Sequence, residues 1–194
     1  KGLHSYFVVR LSDNKIRSNV NGANIMVAFD AETMIRHGLS ISKNGAIIYD
    51  SSIVNTSIDE IPTIEADHRV RLHEFFKSKN MEPKVSSIIE LAKESGVNVY
   101  PISFWDALSN IADELKRPEL SRMTRMFNVL GVSFSLGVLK APIAPLLESI
   151  EEIFSTKPTI ADLNKKAANF AYNYASAKFS GFNASLNETD KEPN

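Results

Sequence analysis

His4 and Ser5 stand side by side near the start of the chain, with Gly2 before them and Tyr6 after. A histidine next to a serine offers the beginning of a nucleophile and its base. Such a pair still needs a third group to orient the imidazole, and no Asp or Glu neighbours it in sequence. The other histidines do not make a metal site. His68 and His73 are five apart on one expected helix, whereas a zinc pair on a helix face wants a spacing of four. His68 reads as a half-buried member of a helix stripe, and His37 as a last-turn residue near the negative end of its helix. No Ser-His-Asp order, no pair of catalytic carboxylates and no phosphate-cradling glycine loop after the first buried strand is present.

Ligands in open α/β sheets bind outside the carboxyl ends of the strands, which directs attention to Phe29-Asp30, Tyr49-Asp50 and Ile102-Ser103. Asp30, Asp50 and Ser103 each have a plainer role as cap or turn residues, and the sequence favours it. His68, Arg69, Arg71, Lys77, Lys79 and Lys84 form a basic cluster that would suit a phosphorylated ligand. Glu65, Asp67 and Glu74 interleave with it, so a solvated helix face is the simpler reading. The residues alone therefore lead to an α/β domain with a binding site near its N-terminal loop.

The composition removes several classes of chemistry. There is no cysteine, so this chain supplies no disulfide, no thiol nucleophile, no Cys-type zinc site and no thiolate for an iron–sulfur cluster. Lys and Arg total 22 against 23 Asp and Glu, which gives no basic field for nucleic acid. No apolar run approaches the ~20 residues of a membrane helix. A cytoplasmic setting is expected. The chain starts without a methionine, directly on a strand-like run, which suggests a piece of a longer polypeptide.

The elements that must position these residues follow from periodicity. Ser5–Leu11 alternates and is rich in Tyr, Phe and Val, so a strand is expected there, with Lys15–Ser18 as a short return. Ala23–Phe29, Gly45–Tyr49 and Val97–Ile102 are short apolar runs of the kind found in interior parallel strands. Helices are expected over 31–37, 63–77, 85–92 and from Ser103 to Pro118, the last with a stripe of Trp105, Leu108, Ile111 and Leu115. Residues 121–138 carry Met123, Met126, Phe127, Leu130 and Phe134 on one stripe, with Gly131, Ser133, Ser135 and Gly137 on other faces. A helix so uniformly apolar or small is expected between neighbours. Two more helices follow, and from Ser180 the chain turns polar as a linker or tail. Strands alternating with helices argue for an α/β fold with a mostly parallel sheet and a C-terminal helical group.

Several stretches together resemble the gamma domain of 2-oxoacid:ferredoxin oxidoreductases, in its archaeal form. They are Lys1-Gly2 through His4-Ser5-Tyr6 to Arg10-Leu11-Ser12, then Asn24 to Thr33, Ile111-Ala112-Asp113 with Lys116 and Pro118, the small-residue helix around Gly131, and Asn164, Ala168 and Tyr172-Asn173. The resemblance runs over about residues 1 to 178, in order and spacing. Leu3 departs from the second glycine of the family's common loop, and the family's opening strand and glycine-rich turn have no counterpart, so a first βα unit is missing. Residues 1–179 are read as this domain and 180–194 as a linker.

The resemblance implies a domain without catalytic residues of its own, fused in front of a thiamine-binding alpha domain. The whole complex converts a 2-oxoacid, coenzyme A and oxidised ferredoxin to acyl-CoA, carbon dioxide and reduced ferredoxin. Thiamine diphosphate, magnesium and iron–sulfur clusters belong to the alpha, beta and cluster-bearing parts. This domain's share would be assembly and coenzyme A binding. Backbone N–H groups around Gly2, the hydroxyls of Ser5 and Tyr6, His4 and the cations Lys1 and Arg10 would position a pyrophosphate. Arg10 reads equally well as a structural ion-pair partner. The competing reading is a nucleotide- or coenzyme-A-binding scaffold of another α/β family.

Overall fold

The computed structural model describes residues 6–12, 17, 22–114, 116–118 and 126–183. The chain divides into two compact units, Lys1–Val99 and Tyr100–Asn194. The first contains β1 (Ala23–Ala28), α1 (Ala31–His37), β2 (Ile41–Asp50), α2 (Ala66–Ser78) and α3 (Val85–Glu94). β3 (Asn98–Ile102) begins in it and crosses the boundary. The second holds α4 (Phe104–Glu114), α5 (Phe127–Leu139), α6 (Ala144–Ile153) and α7 (Pro158–Lys178). The architecture is α/β, with a three-stranded sheet in the order β1-β2-β3.

β1 and β2 run parallel, pairing Ile25 with Ala46 and Ala28 with Tyr49. The register slips between Ala23 and Ile25 because β2 carries extra residues there. Asn44 takes the left-handed conformation at φ 64°. Gly45 follows where any Cβ would lie 2.7 Å from the Asn24 carbonyl oxygen, so only glycine fits this bulge. Beyond it, β2 is buried on both faces from Ala46 to Asp50, as its continuous apolar run requires. Ile47 and Tyr49 join Ala28, Met34, Ile58, Phe76, Ile88 and Val97 in the first unit's core. Each such fully buried aliphatic side chain is worth about 2 kcal/mol.

The expected strand over Ser5–Leu11 is not found in its described part. Residues 6–12 belong to no strand, and Phe7 is 91% exposed, with Val8, Val9 and Leu11 exposed beside it. Strand propensity is a preference for a half-buried pleated surface, and no such surface covers these side chains here. The expected return over Lys15–Ser18 falls almost wholly outside the described residues. Gly38 does end α1, but in an ordinary right-handed conformation. It is small because a Cβ would come 2.5 Å from Ile88.

In the second unit α4 buries Phe104, Ala107, Leu108, Ile111 and Ala112, while Trp105 is exposed. The buried stripe is thus rotated by one residue from the expected one, because Phe104 packs against both Phe127 and Phe134. α5 differs as well. Its small residues form the buried face: Gly131, Ser133 and Gly137 are all buried. A Cβ on Gly137 would sit 2.6 Å from the Tyr172 carbonyl oxygen and 2.8 Å from Ala175, so glycine lets α5 and α7 approach closely. α7 answers with Ala167, Ala168, Ala171 and Ala175, none of them exposed.

Candidate functional site

The three polar residues at the strand ends are occupied locally. Asp30 caps α1 by accepting the Thr33 backbone N–H at 2.7 Å. Asp50 is buried and accepts the Ser52 backbone N–H at 2.8 Å and the Ser52 hydroxyl at 2.5 Å. Ser103 accepts the Asp106 backbone N–H at 3.1 Å. These are the cap and turn roles that the sequence favoured, and each satisfies a donor that a turn or helix start would otherwise leave unpaired.

The polar chemistry of the first unit gathers one turn into α1. Glu32 is buried and accepts the Thr63 hydroxyl and the Arg36 Nε at 2.8 Å. Arg36 also donates to the Glu65 carboxylate at 2.9 Å and the Thr63 carbonyl at 3.1 Å. Its remaining nitrogen lies 3.4 Å from His68 Nδ1. Burial works against the Arg36 charge, but hydrogen bonds from Glu65 and Glu32 outweigh it and hold the guanidinium above its ordinary range. Glu65 is held below the ordinary carboxylate range, first by a backbone hydrogen bond and then by Arg36. The knot ties α1 to the start of α2.

Arg69 does similar work one turn further along α2. It donates to the carbonyls of Ile58 at 3.1 Å, Ile61 at 2.9 Å and Ile64 at 3.3 Å, closing a loop whose backbone would otherwise need water. Asp59 lies 3.0 Å from His73 Nε2 and 3.5 Å from Arg69. Lys84 pairs with Glu82. The expected basic face is therefore spent partly on structural pairing. A hollow of about 570 Å³ between the end of α2 and α3, lined by Lys79, Glu82, Lys84, Ser86 and Glu90 among others, includes none of the expected site residues.

Of the expected site residues, Lys1, Gly2, His4 and Ser5 lie outside the described residues. Tyr6 rests on the His37 ring, with centroids 4.7 Å apart and planes at 56°, and remains 66% exposed. Arg10 is exposed. Among the described residues no group of three His, Asp or Glu side chains is disposed to hold a metal ion, and no helix is long and apolar enough to cross a membrane.

A model of the pyruvate ferredoxin/flavodoxin oxidoreductase family matches residues 1–174. The chain belongs to this family. It is 29% identical over 179 residues to subunit alpha of 2-oxoacid:ferredoxin oxidoreductase 1 from Sulfurisphaera tokodaii, a match covering 92% of this chain and 28% of that protein. It is 31% identical over 172 residues to the 2-oxoacid:ferredoxin oxidoreductase subunit alpha of Saccharolobus solfataricus, covering 88% of this chain and 27% of the relative. A subunit alpha of 2-oxoacid:ferredoxin oxidoreductase 2 from Aeropyrum pernix is 27% identical over 178 residues, with 92% and 28% covered. The chain thus spans a little over a quarter of the length of the curated relatives it matches.

In this member of the pyruvate ferredoxin/flavodoxin oxidoreductase family, sequence reasoning missed Glu32, Arg36 and Thr63. The spacing of Glu32 and Arg36, four apart on a short helix, was a usable signal. Thr63 carried none, because its pairing with Glu32 joins residues 31 apart in the chain. The Asp59–His73 contact predicts an acid response. His73 first, and Arg69 after it, hold the Asp59 carboxyl below its ordinary range. A depressed folded pKa stabilises the fold above the unfolded value near 4, and that contribution disappears as pH falls through the lower folded value. Asp59→Asn should flatten the loss of melting temperature between about pH 4 and pH 2 relative to the parent. Superimposable acid limbs would remove Asp59 from the account.

Proposed function

We propose that this chain is a non-catalytic, gamma-type domain of a 2-oxoacid:ferredoxin oxidoreductase, part of a longer alpha-type polypeptide, serving assembly and coenzyme A positioning. The observation that carries the reading is the family match over residues 1–174, joined to relatives named as alpha subunits of such enzymes, of which the chain spans 28%. The complex would take a 2-oxoacid, coenzyme A and oxidised ferredoxin to acyl-CoA, carbon dioxide and reduced ferredoxin. Its thiamine diphosphate, magnesium and iron–sulfur clusters would lie in the alpha, beta and cluster-bearing parts. A chain with no cysteine fits that division, having no thiolate to give a cluster.

The residues present suit one end of coenzyme A. Tyr6 is exposed while its ring is steadied by His37, and Lys1, His4 and Arg10 bring cations to the same short run. In the reading proposed here, Gly2 lets backbone N–H groups approach the pyrophosphate, Ser5 and Tyr6 donate hydrogen bonds to it, and Lys1 or Arg10 meets its charge. The domain holds the coenzyme at the mouth of an active site formed elsewhere.

Calorimetric titration of coenzyme A into the assembled enzyme tests this. A hydrogen bond to a charged group is worth about 1.5–3 kcal/mol, so Ser5→Ala and Tyr6→Phe should each weaken binding by about tenfold or more. Parent-like affinity in both variants would remove the loop assignment. Copurification of the parent polypeptide with a thiamine-binding, cluster-containing partner tests the larger claim, and the 194-residue chain alone should show no turnover.

A further inference from the structure

α5 carries no charged side chain from Phe127 to Leu139. Its small face is spent on α7 through Gly137. The opposite side presents Val129, Val132, Leu136 and Leu139, with Val132 49% exposed and the other three half-buried. These four follow one another at spacings of three, four and three, which is the seam a packing partner reads on a helix. The nearby hydroxyls offer nothing to a partner: Ser135 donates to the Gly131 carbonyl at 2.9 Å and Ser133 to the Val129 carbonyl at 2.7 Å. A surface strip this poor in polar groups is unlike a transient interface, which is about as polar as ordinary surface, and like an obligate one.

We infer that this stripe is the docking face for the remainder of an alpha-length polypeptide. The inference rests on the proposed function, and two observations select this occupant. The chain spans 28% of the Sulfurisphaera tokodaii subunit alpha, so the relative has a large further portion to be seated. The polypeptide also leaves the described helices beside α5. Near the end of α7, the Tyr174 ring lies 6.0 Å from Phe134 and 5.9 Å from Phe179, and Gly137 abuts Tyr172, Ala175 and Ser176. Whatever follows Phe179 therefore emerges next to the helix that bears the stripe, where a tether keeps the effective concentration of a docking surface high.

The test places a photo-crosslinking p-benzoylphenylalanine at Val132 in the parent polypeptide, expressed with its partner subunits, and a control at Glu148, which is exposed on α6. The expected result is a product of unchanged mass whose peptide map joins Val132 to a segment of the same polypeptide outside residues 1–194. A crosslink to a second copy, a crosslink to a different subunit, or a yield no higher than at Glu148 would each overturn the inference. Ferredoxin reduction with 2-oxoacid and coenzyme A is assayed in the same preparation. Activity without the crosslink sinks the docking face alone. The crosslink without activity sinks the functional reading and leaves the docking face standing.

Discussion

Phe134→Ala should lower the stability of the second unit by about 3–5 kcal/mol, the usual cost of truncating a buried Phe. Phe134 is 1% exposed. Its ring meets Phe104 edge-on at 5.6 Å and Tyr174 at 6.0 Å, and Phe104 in turn touches Phe127. Removing it opens a hole where α4, α5 and α7 converge, and it breaks two aromatic contacts worth about 0.5–1.5 kcal/mol each beyond their area. Trp105 is the chain's one tryptophan and sits edge-on against Phe127 at 5.2 Å, so its fluorescence reports this unit. A loss of about 4 kcal/mol moves a urea midpoint by about 2 M at a typical denaturant slope. Phe134→Leu, which keeps most of the volume, should cost less than half as much. Equal midpoints for Phe134→Ala and the parent would mean that this aromatic cluster does not hold the helices together.

The second large effect belongs to Arg36. Its guanidinium is the cation that faces the buried Glu32 carboxylate at 2.8 Å and spans to Glu65 on the far side. Arg36→Met keeps the aliphatic stem but leaves a buried carboxylate facing the Thr63 hydroxyl without that charge. Breaking a buried pair from one side costs about 3–5 kcal/mol. The lower end applies here, because Glu65 is largely exposed and its attraction is screened. For a chain of this size that is about a 6–12 °C fall in melting temperature, read by far-ultraviolet circular dichroism. Adding Glu32→Gln should restore part of the loss, since the uncompensated charge is then gone. A double-mutant cycle with coupling below about 0.5 kcal/mol would show that Glu32 and Arg36 do not act as a pair.

Much of the skeleton was legible because it depends on neighbours close in sequence. The apolar runs at Ala23–Ala28 and Asn98–Ile102, the caps Asp30 and Ser103, and the helices α3, α6 and α7 follow from periodicity and local hydrogen bonding. Order and spacing along the chain also carried the family, which the match over residues 1–174 shows. The sequence misled where a residue's fate depends on what lies across from it. The alternating Tyr6–Leu11 segment has strand propensity but no covering surface. The small residues of α5 looked like its idle faces and are instead its contact with α7.

By itself, then, the sequence determined the α/β pattern, the absence of any thiolate chemistry and the family to which the chain belongs, because each of these is written in residue types and spacings along one dimension. The tertiary structure alone decided that Glu32, Arg36, Thr63, Glu65 and His68 share one polar knot, that Arg69 gathers three loop carbonyls, and that one side of α5 stays open. Those facts rest on hydrogen-bond geometry and close packing between segments up to dozens of residues apart, and such interactions fall off within a few ångströms of space whatever their distance along the chain.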